Sequence, residues 1–345
     1  MMAIDDPREI PADARSDRWE LLCDGVDRAF HMATQELDDL FWLLHKLCFH
    51  RLIKKIADNC HIDWAADEPS SSIAYTVAVA EYAIAFDQGR VIASDVFRKV
   101  LEQTPAGSLA RIHATYQLAV YYAKFKPDTT TPLEEWLTCH QRELDLGTKS
   151  LDPFAAQSLW TRFYRVRAFL PQYKKDMAGM TADMDRAEEL ARTLPAKSEE
   201  ESFTAQELLF AVFESRIKEA LVFGAPELAA ERAKILTEFT PQQSRAHLHL
   251  GSALLDIDKI EEAALSFRQV ARLGPLGTEI ALFNLGQCLE LMDDDEAALD
   301  AYLSCLAVDP LGIGAAERIR ELTAHRQGSL HPDWAAHYIA ELCRA

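Results

Sequence analysis

Residues 244–278 read SRAHLHLGSALLDIDKIEEAALSFRQVARLGPLGT, and residues 279–312 read EIALFNLGQCLELMDDDEAALDAYLSCLAVDPLG. Laid over one another, Leu250-Gly251, Ala263, Phe267 and Pro275 recur as Leu285-Gly286, Ala298, Tyr302 and Pro310, each pair 35 residues apart. A fixed period of this length marks stacked supersecondary units, each unable to bury its apolar face alone. The spacing within one period gives the unit its form. Gly251 and Ala263 supply the small residues that two crossing helices need, as Gly286 and Ala298 do one period later. Phe267 and Tyr302 lie one helical turn beyond the alanine and are placed to fill the space between one hairpin and the next. Pro275 and Pro310 stop the second helix. The polar runs Asp256-Ile257-Asp258-Lys259 and Asp293-Asp294-Asp295 read as the turns between helices, the aspartates serving as N-caps.

These residues resemble the tetratricopeptide repeat, a helix–turn–helix unit of 34 residues. The resemblance is specific over residues 241–311. It departs from the family in a period longer by one residue and in His247 and Leu282 at a position that is usually aromatic. It implies an all-α, right-handed α-solenoid of helical hairpins whose inner face holds a partner protein or peptide. In this family the inner face is lined by the first helix of each unit. Here that means Arg245, Leu248, Ser252 and Leu255, then Ile280, Phe283 and Gln287. Asn284 matches the asparagine of members that clamp a carboxylate, but Leu248 and Phe283 stand where the clamp would need cations. An amphipathic or apolar peptide is the occupant this lining fits.

Earlier repeats are weaker. Prolines at 105, 153, 195 and 241 mark ends of second helices. Ser202–Phe223 with Pro226–Phe239 reads as one hairpin, Leu109–Phe125 with Leu133–Leu146 as another, and Phe154–Phe169 with Lys174–Leu194 as a third. Residues 1–17 mix charge, proline and alanine without period and are expected to be disordered. Residues 18–71 form an N-terminal helical region, with Arg18–Ala33 and Gln35–Asn59 as two amphipathic helices. The solenoid covers 72–345, closed by capping helices over 313–343.

Composition narrows function. The net charge of −19 argues against nucleic acid and anionic membrane as partners. Seven cysteines without a CxxC fit reduced thiols in a cytoplasmic protein. No transmembrane run and no Walker, GxGxxG or GxSxG motif can be read in these residues, and no secretory leader is expected. No cofactor and no catalytic set is expected. An enzyme or enzyme subunit, and a ligand-responsive regulator, stand as alternatives to a scaffold. A homodimer is compatible with exposed end faces. For metal, the set would be His45, Cys48, Cys60 and His61, although a core helix bearing histidines gives the same letters.

One segment breaks the acidic pattern. Trp160–Lys175 carries Arg162, Arg165, Arg167, Lys174 and Lys175 and no acid. Arg162 and Arg165 share one helix face, and Trp160, Tyr164 and Arg167 share another. These five are expected to contact an anionic partner. The alternative is that the aromatics are core and the arginines pair with neighbouring acids.

Overall fold

Helices begin where capping chemistry and proline place them, and their apolar faces then decide the stacking. The computed structural model describes residues 6–47, 49–62, 76–77, 79–81, 83–84, 95–125, 130–274, 277–310 and 312–325. These divide into two compact units, 2–201 and 202–345. Among the described residues every regular element is helical.

The first unit holds α1 (Asp17–Arg28), α2 (Thr34–Lys46), α3 (His50–Asn59), α4 (Asp95–Gln103), α5 (Leu109–Phe125), α6 (Thr131–Gly147), α7 (Pro153–Arg167), α8 (Phe169–Tyr173) and α9 (Met177–Arg192). Leu22, Val26, Phe41, Leu44, Ile53 and Ile56 build its N-terminal core, which continues to Phe97 and Leu118. The single helix expected over Gln35–Asn59 is in fact two. The chain leaves helix at Phe49 (φ −79, ψ 51), whose buried ring meets Trp19 at 6.2 Å. Seating Phe49 on α1 turns the chain so that Leu52, Ile53 and Ile56 of α3 reach the same core.

Residues 6–16, expected to be disordered, form two 3-10 turns tied to α1. Trp19 Nε1 donates to Pro7 O (2.9 Å), Arg8 pairs with Asp27 (2.8 Å), and Arg15 donates to Arg8 O and Ile10 O (2.7 Å each). Side-chain bonds to backbone hold this segment, so apolar periodicity gives no sign of it.

The hairpins expected at α5/α6 and at α7/α9 are present, with α8 extending the first helix of the latter. Asp152 caps α7 by accepting from Phe154 N and Ala155 N, and Pro153 occupies the first turn. Buried Glu143 of α6 accepts from Gly107 N (2.6 Å) and from Arg111 Nε (2.9 Å) of α5, fixing the entry to α5. Gly107 and Gly147 meet there. A Cβ on Gly147 would lie 2.1 Å from Gly107 O.

The second unit stacks α10 (Glu199–Val222), α11 (Pro226–Phe239), α12 (Ser244–Leu255), α13 (Ile260–Leu273), α14 (Thr278–Leu291), α15 (Asp295–Val308) and α16 (Ile313–His325). Each 35-residue period is a hairpin, α12/α13 and α14/α15. Ala263 and Ala298 are fully buried. The two aromatics belong to the core that successive hairpins share, and each also closes its own hairpin. Phe267 covers Gly251 and Tyr302 covers Gly286 within their own hairpins. Burying each ring contributes about 1.5–3 kcal/mol.

Five helix ends share one cap. His61, Lys175, Gly224, Asp258 and Asp293 are all left-handed (φ 56–66). After each, the next N–H reaches back to the carbonyl five residues earlier: Ile62 to Ala57, Asp176 to Pro171, Ala225 to Ala220, Lys259 to Leu254 and Asp294 to Leu289, at 2.8–3.0 Å. This satisfies carbonyls the helix cannot. Asp294 also caps α15 through Ala297 N. Cys48, Pro275 and the capping helix beyond His325 lie outside the described residues.

Candidate binding surface on helices α5 and α7

In a chain with 55 acidic residues, neither α5 nor α7 carries one. Helix α7 packs against both α5 and α6. Arg165 Nη2 donates to Tyr116 OH of α5 at 3.2 Å. Arg162 lies close enough to His113 and Tyr116 that its charge acts on both. Burial, and then Arg162, push His113 down to about 3, so it is neutral near pH 7. Burial alone would raise the Tyr116 phenol, but Arg165, Arg162 and Lys124 outweigh it and its pKa is lowered.

The two arginines are exceptional in how they are paired. The seven other half-buried arginines among the described residues (Arg8, Arg15, Arg111, Arg167, Arg216, Arg232 and Arg318) each sit within 3.5 Å of a carboxylate oxygen. Arg162 and Arg165 have no carboxylate partner among the described residues. A half-buried cation normally finds one, because desolvation without compensation costs free energy.

The basic aromatic run therefore splits. Arg167 donates through Nε to Asp183 of α9 at 2.9 Å and lies over the rings of Phe163 (5.2 Å) and Tyr164 (4.5 Å). Trp160 packs edge-on to Phe163 at 5.4 Å. Lys174 pairs with Glu134 at 2.6 Å. Arg167 is thus committed to α9, while Trp160 and Tyr164 pack against the core shared by α5, α6 and α7. The sequence reading missed Tyr116, His113 and Lys124. The signal for them was present, since α5 is as free of acids as α7.

Beneath the seam lies His140 of α6, 1% exposed, between the rings of Tyr116 (5.8 Å) and Phe163 (5.7 Å). Thr115 Oγ1 lies 2.9 Å from Ile112 O and 3.0 Å from Arg111 O, so its proton goes to a carbonyl. His140 Nδ1, 2.9 Å from the same oxygen, must then be the donor. This leaves Nε2 a bare acceptor, and it is buried with no hydrogen-bond partner among the described residues. Burial, and then His113, push His140 down to about 3.

In the second unit the residues expected to line the inner face are largely committed to packing. Arg245 Nη2 meets both oxygens of Glu214 at 2.6 Å and lies 5.4 Å from the Phe210 ring centre, while His249 Nε2 lies 2.9 Å from the same carboxylate. Burial would raise the Glu214 pKa, but His249 and Arg245 bring it below the ordinary value. Leu248, Leu255 and Phe283 pack on the α13–α16 core. Asn284 and Gln287 are half-buried, and Ser252 and Ile280 are exposed. Glu290 accepts from Tyr302 OH and from Arg318 of α16.

The metal set does not assemble. His45 Nδ1 and His50 Nε2 are 3.3 Å apart at the start of α3, but Cys60 and His61 follow its far end, about 15 Å along a ten-residue helix. Cys48 lies outside the described residues. Among the described residues no three metal-binding side chains converge, and no helix is long and apolar enough to cross a membrane.

No protein-family model and no curated protein matches this chain. Solved structures do. Yeast Tom70 aligns over 97% of this chain and 62% of its own, with a TM-score of 0.55 at 12% identity. This chain has the tetratricopeptide-repeat fold. MamA aligns over 49% of this chain and 92% of its own, at 21% identity and a TM-score of 0.37. YrrB, described as a TPR protein with an unusual peptide-binding site, aligns over 66% and 99%, at 15% and 0.40. The 35-residue period of this tetratricopeptide fold corresponds to the hairpins α12/α13 and α14/α15.

Proposed function

We propose that this chain is a protein-binding scaffold that grips an anionic segment of its partner between α5 and α7. The observation that carries this reading is the pair Arg162 and Arg165, half-buried on α7 where it packs against α5, both helices free of acids, with no carboxylate partner among the described residues. In a tetratricopeptide array the first helices of successive hairpins line the inner face, and α5 and α7 are two such helices. A net charge of −19 repels anions elsewhere, so this surface is where one is drawn. Guanidinium forks bind carboxylate or phosphate oxygens in pairs, and Tyr116 OH adds a third donor.

The test is affinity capture followed by quantitative mass spectrometry, comparing the native chain with Arg162→Glu/Arg165→Glu. The double variant is expected to keep its helicity and lose a partner that the native chain retains. That partner should also be released as salt rises, because partly exposed charges are screened over about 8 Å at physiological ionic strength. Retention of the same partners at the same yield would overturn the reading.

A further inference from the structure

Resting on the reading of Arg162 and Arg165 as the gripping pair, we infer that the group they read is a phosphoryl group, not a single carboxylate. The argument is one of charge and donor count. Two half-buried guanidiniums present two positive charges, and no carboxylate among the described residues offsets them. His113, beside Arg162, is neutral and adds nothing to the charge. His140 beneath is neutral as well, and Lys124 at the end of α5 adds a further cation. One carboxylate neutralises only half the charge of the two arginines alone. A phosphoryl group carries about −1.5 to −2 at pH 7 and offers three oxygens.

The donors match that number. Arg162 has its whole fork available. Arg165 spends one N–H on Tyr116 OH and keeps the rest. Tyr116, having accepted from Arg165, has its own proton to give. Its phenol is held by a guanidinium and so is aimed before any ligand arrives, which lowers the ordering cost of binding.

The pH dependence of binding separates this chemistry from its rival. The second phosphate pKa is about 6. Burial pushes His113 and His140 down to about 3, so both stay neutral across the neutral range. Between pH 7.5 and 5.5 the phosphoryl group takes up a proton while these two histidines do not.

The experiment is calorimetric titration of the full chain with phenyl phosphate, benzoate and inorganic phosphate, and with two short peptides that differ only in phosphoserine against glutamate. Phenyl phosphate and the phosphoserine peptide are expected to bind at least tenfold more tightly than benzoate and the glutamate peptide. Their affinity should fall severalfold from pH 7.5 to 5.5 and at least tenfold in Arg162→Gln/Arg165→Gln. If the glutamine pair fails to fold, Arg162→Lys/Arg165→Lys keeps the charge, loses the fork and should still weaken phosphate binding severalfold. A phosphopeptide preferred over inorganic phosphate assigns the group to a macromolecular partner; equal affinity per site assigns it to a free phosphate compound. Equal binding of phosphate and carboxylate probes, or phosphate binding unchanged in the variants, overturns the inference. If those results come while Arg162→Glu/Arg165→Glu still abolishes partner capture, the anionic-segment reading stands and the phosphoryl assignment alone fails.

Discussion

A Cβ built on Gly286 would lie 2.5 Å from Cε1 of Tyr302, and one on Gly251 would lie 2.7 Å from Cε1 of Phe267. These rings are fully buried and fixed in their hairpins, so they cannot yield. Helix propensity favours alanine over glycine by about 1 kcal/mol. Overpacking costs about 1–3 kcal/mol and prevails. Gly286→Ala is therefore expected to lower stability in urea denaturation. Adding Tyr302→Leu, which removes the ring, should make the alanine cost disappear. A Gly286→Ala chain as stable as the native one would refute the crossing.

The shared left-handed cap makes a prediction of opposite sign. At Gly224 a Cβ would meet nothing within 4 Å, so only the backbone conformation (φ 66) is at stake. Gly224→Ala should cost about 1 kcal/mol, the penalty of a side chain in that region. Asp293 holds the same position two hairpins later in the array (φ 60) with a Cβ already in place. Asp293→Gly should raise stability by up to about 1 kcal/mol. Thermal melts of the two variants moving in the same direction would contradict the equivalence.

Acid should act through Glu290. Burial would raise its pKa, but Arg318 and Tyr302 bring it below the ordinary 4.5. A carboxylate with a depressed folded pKa contributes stability above its unfolded value and loses it as pH falls through the folded one. The native chain should therefore weaken as pH drops below 4.5. Glu290→Gln should be about 1–3 kcal/mol less stable at pH 7. It should also show a shallower decline below that point. Urea titrations at stepped pH check both, and parallel curves for the two chains would exclude Glu290 as a source.

The N-terminal segment is expected to matter to folding. Removing residues 1–16 takes away the Pro7 carbonyl from Trp19 Nε1, the Arg8 partner of Asp27 and the Ser16 cap of α1. A lost cap costs about 1 kcal/mol, and an unmade hydrogen bond at half-buried Trp19 adds a similar amount. The truncated chain should melt at a lower temperature. An unchanged melt would return this segment to the dispensable status its composition implies.

What was legible in the sequence follows from the range of each interaction. The α12–α15 hairpins could be read because glycine, alanine, aromatic and proline repeat at one period. The bounds of α5, α6 and α7 followed from apolar spacing and from proline. The break at Phe49 could not be read, because the apolar spacing of three and four runs through it and its cause is Trp19, 30 residues away. The binding surface was half legible. The absence of acids in α7 marked it, but Asp183 lies 16 residues from Arg167 and Tyr116 lies 49 from Arg165. Local spacing separated the two faces but does not encode such pairings, so all five residues were expected to contact one partner.

Those two faces should respond oppositely to mutation. Arg167 bridges Asp183, whose side chain is 10% exposed, and covers two rings. Arg167→Ala strips a nearly buried carboxylate of its partner and should cost about 1–3 kcal/mol. Arg162 and Arg165 repel one another across a single turn, and no carboxylate among the described residues depends on them. Arg162→Gln/Arg165→Gln should therefore leave stability within about 0.5 kcal/mol of native or raise it. Groups retained at no benefit to folding are what a binding surface requires, since activity is commonly maintained at the expense of stability. Urea denaturation of the two variants side by side decides the matter. If the glutamine pair destabilises the chain as Arg167→Ala does, both guanidiniums are structural, and the surface between α5 and α7 loses its claim to an anion.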